Sequence, residues 1–190
     1  MQNGIRKKDP KRDVKMKVLT LGTMALDVVI KNINTLPPPN SAMKVDDLQL
    51  LPGGGGLNSS VALKRLGIDS YAISEIGIDP AGKMILDKLK TEGVYYCCGV
   101  IKEDKQTSVV TVFINDQGER SFACPPYVGL TLRYSDVNWD ILKEVDIFFV
   151  SSSCLLETLL ADLPKILKKC QENSVITLLD TVLMPRDYDY

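Results

Sequence analysis

The residues best suited to chemistry sit in the first third of the chain: an aspartate, Asp27, and further on the run PGGGGLNSS, in which glycines 53–56 precede Asn58. Glycine loses more backbone freedom on folding than any other residue, so several held in a row imply that something there needs bare backbone. Three glycine-rich chemistries are told apart by their neighbours. A phosphate-cradling P-loop needs a lysine and a hydroxyl residue directly after its last glycine, and Leu57 and Asn58 stand there instead, so that reading fails. A dinucleotide fingerprint places its glycines directly after the first strand, where this chain has GTMALD, which argues against an NAD site. The third chemistry lays a ligand against bare backbone at the start of a helix. There the Asn58 amide offers one acceptor and one donor, a match for a neighbouring pair of sugar hydroxyls. Asp27 suits the same use, because it falls just beyond the first strand, where open α/β sheets bind ligands, and its carboxylate can accept two hydroxyl hydrogen bonds. Two plainer readings stand beside this one: Asp27 as a turn cap, and the glycines as a flexible connection.

Other chemistries are excluded by composition. The chain has no histidine, which removes Ser-His and Cys-His nucleophiles and histidine metal sites and leaves proton transfer to carboxylate, lysine, tyrosine or cysteine. Cys97, Cys98, Cys124, Cys154 and Cys170 are odd in number and lack C-x-x-C spacing. That argues against a disulfide scaffold and a zinc site and fits a reducing, cytoplasmic setting.

The elements that must position Asp27 and the glycines alternate in type. Residues 17–23 (KVLTLGT) read as a strand buried on both faces of a parallel sheet. Residues 27–33 and 43–50 read as further strands around a proline loop, and residues 57–67 as a helix with Leu57, Val61, Ala62 and Leu66 on one face and Gly67 as its stop. SYAISEIG is a strand, and DPAGKMILDKLKTEG a helix with Asp79 as N-cap, Pro80 at its first position and Gly93 past its end. YYCCGVI is a strand, and residues 107–124 form a hairpin turning at Asn115 to Gly118. SDVNWDILKE reads as a helix capped by Ser135, DIFFV as a strand, and LLETLLADLPKILKKCQEN as a helical pattern that Pro164 must kink or restart. SVITLLD is the last strand. Alternating strands and helices imply βαβ units and a doubly wound, mostly parallel α/β sheet. The strands over 27–33, 43–50 and 107–124 break the alternation and fit a small separate sheet.

With 45% apolar and 25% charged residues over 190 positions, the chain fits one soluble domain with a real core. Its apolar runs are strand-length, far short of the roughly 20 residues that span a bilayer. Residues 1–16 form a basic stretch without the features of a secretory signal, read as a disordered, solvated tail. A nucleic-acid or membrane-binding arm is disfavoured because the chain carries net charge −1 and no second basic patch.

VLTLGTMALDVVI, PGGGGLNSSVALKRLG and IGIDPAGKMILDKLKTEGV, in this order, resemble the PfkB, or ribokinase-like, sugar kinases. The likeness runs over about residues 17–180 and rests on three motifs: a strand ending in G-x-x-x-x-D, a G-G-x-x-N loop and helix, and a G-x-D-x-x-G helix start. It implies a doubly wound domain with a small β-sheet lid, and transfer of the γ-phosphoryl of ATP, with Mg2+, to a hydroxymethyl group of a sugar, nucleoside or related polyol. By the resemblance, Asp27 holds sugar hydroxyls, Gly54 and Gly55 give the close backbone approach, and Asn58 fixes orientation. Ser153 stands where ribokinase-like proteins place a substrate-facing acid, a departure that bears on which sugar is held. Residues 43–50 and 107–113 would cover the substrate and exclude water.

The family's second signature, near D-T-x-G-A-G-D, supplies the aspartate base and an anion-stabilising helix start. LLDTVLMPRDYDY has D-T but no G-A-G-D, so no catalytic residue is assigned in these residues. The expectation is therefore the sugar-binding half and lid of a sugar kinase, truncated before the nucleotide-binding half and inactive alone. A sheet lacking its last strands exposes an edge, which favours a homo-oligomer. Two alternatives stay open: a nucleoside kinase of the same fold, and a non-catalytic sugar-binding or assembly module.

Overall fold

The computed structural model describes residues 15–96, 100–102, 105–125, 131–156 and 158–181. Its strands are Lys17–Leu21 (β1), Ala25–Lys31 (β2), Asp47–Gly53 (β3), Asp69–Ile73 (β4), Glu75–Gly77 (β5), Val100–Lys102 (β6), Ser108–Ile114 (β7), Arg120–Ala123 (β8), Ile147–Val150 (β9) and Ile176–Leu179 (β10). Its α-helices are Gly55–Arg65 (α1), Pro80–Glu92 (α2) and Leu163–Glu172 (α3). Most of the basic tail, Cys97 and Cys98, most of the PPYVG loop and the closing RDYDY lie outside the described residues.

β1 lies at the middle of a parallel sheet ordered β10-β9-β1-β4, with Val18 level with Ser70 on one side and Ile147 on the other. Its residues Val18 to Leu21 are buried, as a strand covered on both faces must be. One face carries Leu19 and Leu21 into a core with Trp139, Phe148, Leu156 and, from α3, Ile166 and Cys170. The other packs Ala72 and Ile76 against Leu57 and Val61 of α1 and Ile85 and Leu89 of α2. Helices on both faces give the doubly wound, ribokinase-like α/β arrangement.

The strands that broke the alternation form a second, mixed sheet ordered β3-β2-β7-β8, with its own buried cluster of Ala25, Val110 and Val112. Its strands sit a few residues from the expected bounds: β2 starts at Ala25, and β3 runs to Gly53 and thus into the glycine run. SYAISEIG is split at Ser74 into β4 and β5, and β5 pairs with β6. The Asn115 side chain builds the β7–β8 turn by accepting the N–H groups of Gln117 and Glu119, with Gly118 at φ 80°.

Three helical expectations need correction. α1 begins at Gly55, two residues before Leu57, and Ala62 and Leu66 face solvent, leaving Leu57 and Val61 as its buried apolar contacts. It closes beyond Leu66, with the Gly67 N–H on the Lys64 carbonyl and the Ile68 N–H on that of Leu63, a paired closure that needs the left-handed φ of 83° at Gly67. SDVNWDILKE is not an α-helix but two short 3-10 turns, Tyr134–Asp136 and Trp139–Lys143. Side chains compete there for the backbone groups: Trp139 Nε1 donates to the Tyr134 carbonyl, and Asn138, not Ser135, caps the second turn. In the third case α3 starts only at Leu163, after a separate 3-10 turn at Ser153–Leu155. Pro164 has no N–H to give to an earlier carbonyl, so the helix starts around it and Leu160 is left exposed.

Helix α2 is the element the sequence marks most fully. Asp79 accepts the Gly82 N–H at 2.7 Å, Pro80 opens the helix, and Gly93 at φ 72° ends it. Its last turn is joined to α1 by Arg65, which donates to both oxygens of Glu92 at 2.8 and 2.5 Å. Among the described residues no helix is long and apolar enough to cross a membrane.

Candidate functional site

β1 ends at Leu21, and residues 22–24 lift the chain out of the central sheet into β2. Asp27 therefore lies on β2, two residues inside a strand expected to begin at Asp27 itself. β3 returns antiparallel beside β2, with Gly53 level with Ala25 and Leu51 level with Asp27. The Asp27 side chain leans across Gly53, where a Cβ would lie 2.5 Å from Oδ2. Gly53 is bare because Asp27 occupies the space a side chain would need.

Gly54 then turns the chain into α1 at φ 89°, a value that L side chains rarely adopt. The turn is pinned by the Gly56 N–H, which donates to the Thr23 carbonyl at 2.9 Å. No side chain caps α1, so the N–H groups of Gly55 and Leu57 have no acceptor within the helix itself. At Gly55 the nearest atoms to an added Cβ are the hydroxyl oxygens of Ser152 and Ser151. Both serines stand at the carboxyl end of β9, tied to β1 by the Ser151 N–H on the Leu21 carbonyl at 2.8 Å, and Ser152 itself has φ 60°.

The carboxyl ends of β1 and β9, the glycine turn and the base of the second sheet thus meet in one place. They carry a carboxylate, two helix-start N–H groups without an acceptor in the helix and two hydroxyls, a set able both to accept and to donate hydrogen bonds. Burial raises the Asp27 carboxyl above its ordinary pKa. A partly desolvated carboxylate also makes stronger hydrogen bonds to a ligand than one in water.

Of the residues singled out in the sequence, Asn58 lies in the first turn of α1 with its side chain exposed and its N–H on the Gly54 carbonyl at 3.0 Å. Ser153 is buried and its N–H donates to the Asp180 carbonyl at 3.0 Å. Beside these the structure sets Ser151 and Ser152, which were not singled out, and Gly53, which was named only as part of the glycine run. A signal for the serines existed, since SSS follows directly on the buried run IFFV, where the carboxyl end of a parallel strand faces a ligand crevice. Among the described residues no group of three His, Cys, Asp or Glu side chains is placed to hold a metal.

The profile of the pfkB family of carbohydrate kinases matches residues 15–189. The chain belongs to this family. Among pfkB relatives, a fructokinase of Escherichia coli is 37% identical over 125 residues, covering 64% of this chain and 36% of that protein. A ribokinase of Lactococcus lactis is 26% identical over 170 residues, covering 85% of this chain and 53% of that protein. The crystal structure of an uncharacterized sugar kinase from Pyrococcus horikoshii superimposes with a TM-score of 0.72 at 26% identity, over 88% of this chain and 53% of that one. That kinase has also been solved in complex with ATP. The chain spans about half or less of the length of these pfkB proteins.

Proposed function

We propose that these residues hold the sugar in an ATP-dependent pfkB kinase that phosphorylates a hydroxymethyl group, and that the second sheet is the lid over it. The observation that carries the reading is the Asp27 carboxylate laid across Gly53 at the mouth of the glycine turn. In this reading Asp27 accepts two sugar hydroxyls, the backbone at Gly54 and Gly55 allows the ring to approach, and Asn58 fixes its orientation. Ser153, with Ser151 and Ser152 beside it, presents hydroxyls where a ribokinase-like site would carry an acid. Strands β2, β3, β7 and β8 cover the substrate and keep water from the transferring phosphoryl group.

The 190 residues contain no G-A-G-D sequence, so the proposal gives them substrate holding and not phosphoryl transfer. ATP and Mg2+ belong to the family reaction, and the proposal assigns neither a holder among the described residues. A homo-oligomer formed through the lid or through the β10 edge, and a cytoplasmic setting, complete the reading.

Calorimetric titration with fructose, ribose and adenosine tests it. Fructose or ribose should bind, and Asp27→Asn should weaken that binding by roughly ten- to a hundredfold, the worth of hydrogen bonds to a charged group. Tighter binding of adenosine than of ribose would make the chain part of a nucleoside kinase. Equal sugar binding by Asp27→Asn, or none by the parent chain, overturns the proposal.

A further inference from the structure

The hairpin β7–β8 leaves the central body through Lys105 and Thr107 and returns to it through Thr131. Both legs converge on one buried carboxylate. Glu75, on β5, has a fully buried side chain and pairs with Lys105 Nζ at 2.6 Å. It also accepts the Thr131 backbone N–H at 2.8 Å, and the Thr131 hydroxyl lies 3.0 Å from Oε1. Lys105 Nζ closes the triangle by donating to Thr131 Oγ1 at 3.0 Å. The outgoing leg is gripped again two residues on: Thr107 N–H donates to Asp79 Oδ2 at 2.7 Å, and the Gly77 N–H donates to Thr107 Oγ1 at 3.0 Å.

A buried ion pair carries a desolvation cost that close geometry and further donors only just offset, so breaking it by removing one partner is strongly unfavourable. Neither leg can swing away from β5 without leaving the Glu75 charge buried with fewer donors. The next residues of the outgoing leg are β7 itself, which runs parallel to β2 with Ser108 level with Ala25 and Val110 level with Asp27. Whatever fixes the root of β7 therefore fixes the strand on which Asp27 is carried.

We infer that Glu75 is a positioning residue: it clamps both legs of the β7–β8 hairpin to the central body, and through β7 it holds β2 so that Asp27 stays over the glycine turn. The consequence for the sugar rests on the proposed function; the clamp does not. The motion left to the lid is then at its far end, around residues 115–118, and not at its root.

Amide hydrogen exchange on the 190-residue chain reads the clamp without any ligand. Glu75→Gln should speed exchange of the β7 and β8 amides by at least about tenfold while β1, β4 and β9 keep their protection, because a local opening and not the whole fold has been loosened. Lys105→Met should act on the same amides, and the double variant should be no faster than Glu75→Gln, since the two residues act as one unit. Thr131→Val, which leaves both the ion pair and the Thr131 N–H on Glu75 in place, should loosen these amides less than Glu75→Gln, and Lys105→Met decides the matter if Glu75→Gln does not fold. Equal acceleration in both sheets, or unchanged β7 and β8 amides, overturns the inference. Where fructose or ribose binds the parent chain, Glu75→Gln should weaken it, with Glu75→Asp recovering part. A chain that binds no sugar but shows the local loosening keeps the clamp and loses the functional reading.

Discussion

Oδ2 of Asp27 lies 2.5 Å from the place a Cβ on Gly53 would occupy. The two residues are diagonal neighbours across β2 and β3, on one face of the second sheet. The clash falls on the end of a flexible side chain, so Gly53→Ala should fold and displace the carboxylate. If the chain holds a sugar as proposed, affinity for it should fall by roughly tenfold or more, the cost of misplacing one charged hydrogen-bonding group, while the melting temperature stays close to that of the parent. Calorimetry beside a thermal melt separates the two; a large drop in melting temperature with affinity retained would contradict this geometry.

Asp27 should also oppose stability. Burial raises its folded-state pKa, and a carboxyl raised on folding favours the folded state only below its unfolded pKa, with that contribution lost as pH rises. At neutral pH the charge is therefore a cost, so Asp27→Asn should melt higher than the parent at pH 7 and show no such advantage near pH 3. Melting curves at the two pH values check it, and a variant less stable at pH 7 would show that the carboxylate has a structural partner.

Asp79 runs the other way. Burial pushes its pKa up, but the N–H donors of Gly82 and Thr107 outweigh that and leave it below the ordinary 3.8. A depressed carboxyl stabilises above its unfolded pKa, and that contribution disappears as pH falls through the folded value. Asp79→Asn should cost about 1–2 kcal/mol at pH 7, because the amide can still cap α2 on the Gly82 N–H but sets an NH2 group against the Thr107 N–H where the carboxylate accepts it. Urea unfolding at pH 7 and at about pH 3 should show the gap between variant and parent closing in acid.

How far these features could be read from sequence depended on whether the determinant was local. α2 was legible because Asp79, Pro80 and Gly93 act within a turn of one another, and β1 because a strand buried on both faces is a continuous apolar run. Asp27 and the glycines were legible as a pair from their places beside the first strand and the helix start, but against plainer readings that only the family motifs outweighed. That Asp27 lies on a strand was legible in its segment, but that Gly53 is the glycine it leans on depends on a register that no spacing rule gives. The 3-10 turns around Trp139 were hidden because a buried indole N–H and the Asn138 side chain outbid the helical pattern of their own segment. Glu75 was passed over for a related reason: its partners Lys105 and Thr131 lie 30 and 56 residues away.

The first core should be intolerant of truncation at Phe148. Its side chain is fully buried, and its ring meets Trp139 edge-on with centroids 6.1 Å apart. Phe148→Ala should cost about 3–5 kcal/mol, a large fraction of the roughly 5–15 kcal/mol that a domain possesses. Loss of a cooperative thermal transition, or a midpoint lowered by many degrees, is the expected readout, and a melt unchanged within a few degrees would place Phe148 outside the core.

Self-association should be driven more by β10 than by the second sheet. Among the described residues β10 pairs with β9 alone, and Ile176, Leu178 and Leu179 are exposed at 61%, 51% and 55%. An edge strand offers backbone N–H and C=O groups as well as apolar side chains. The exposed Leu48 and Leu50 of β3 lie level with Ile30 and Val28 and offer a second apolar surface, on a strand that is itself an edge but begins with the Lys31–Asp47 ion pair at 2.9 Å. A charge at such an end is a common guard against strand addition. Sedimentation of the 190-residue chain should show concentration-dependent association that Leu178→Lys abolishes and Leu50→Lys only weakens. The reverse ranking would make the second sheet the dominant surface, and a monomer at every concentration would mean that neither surface drives assembly.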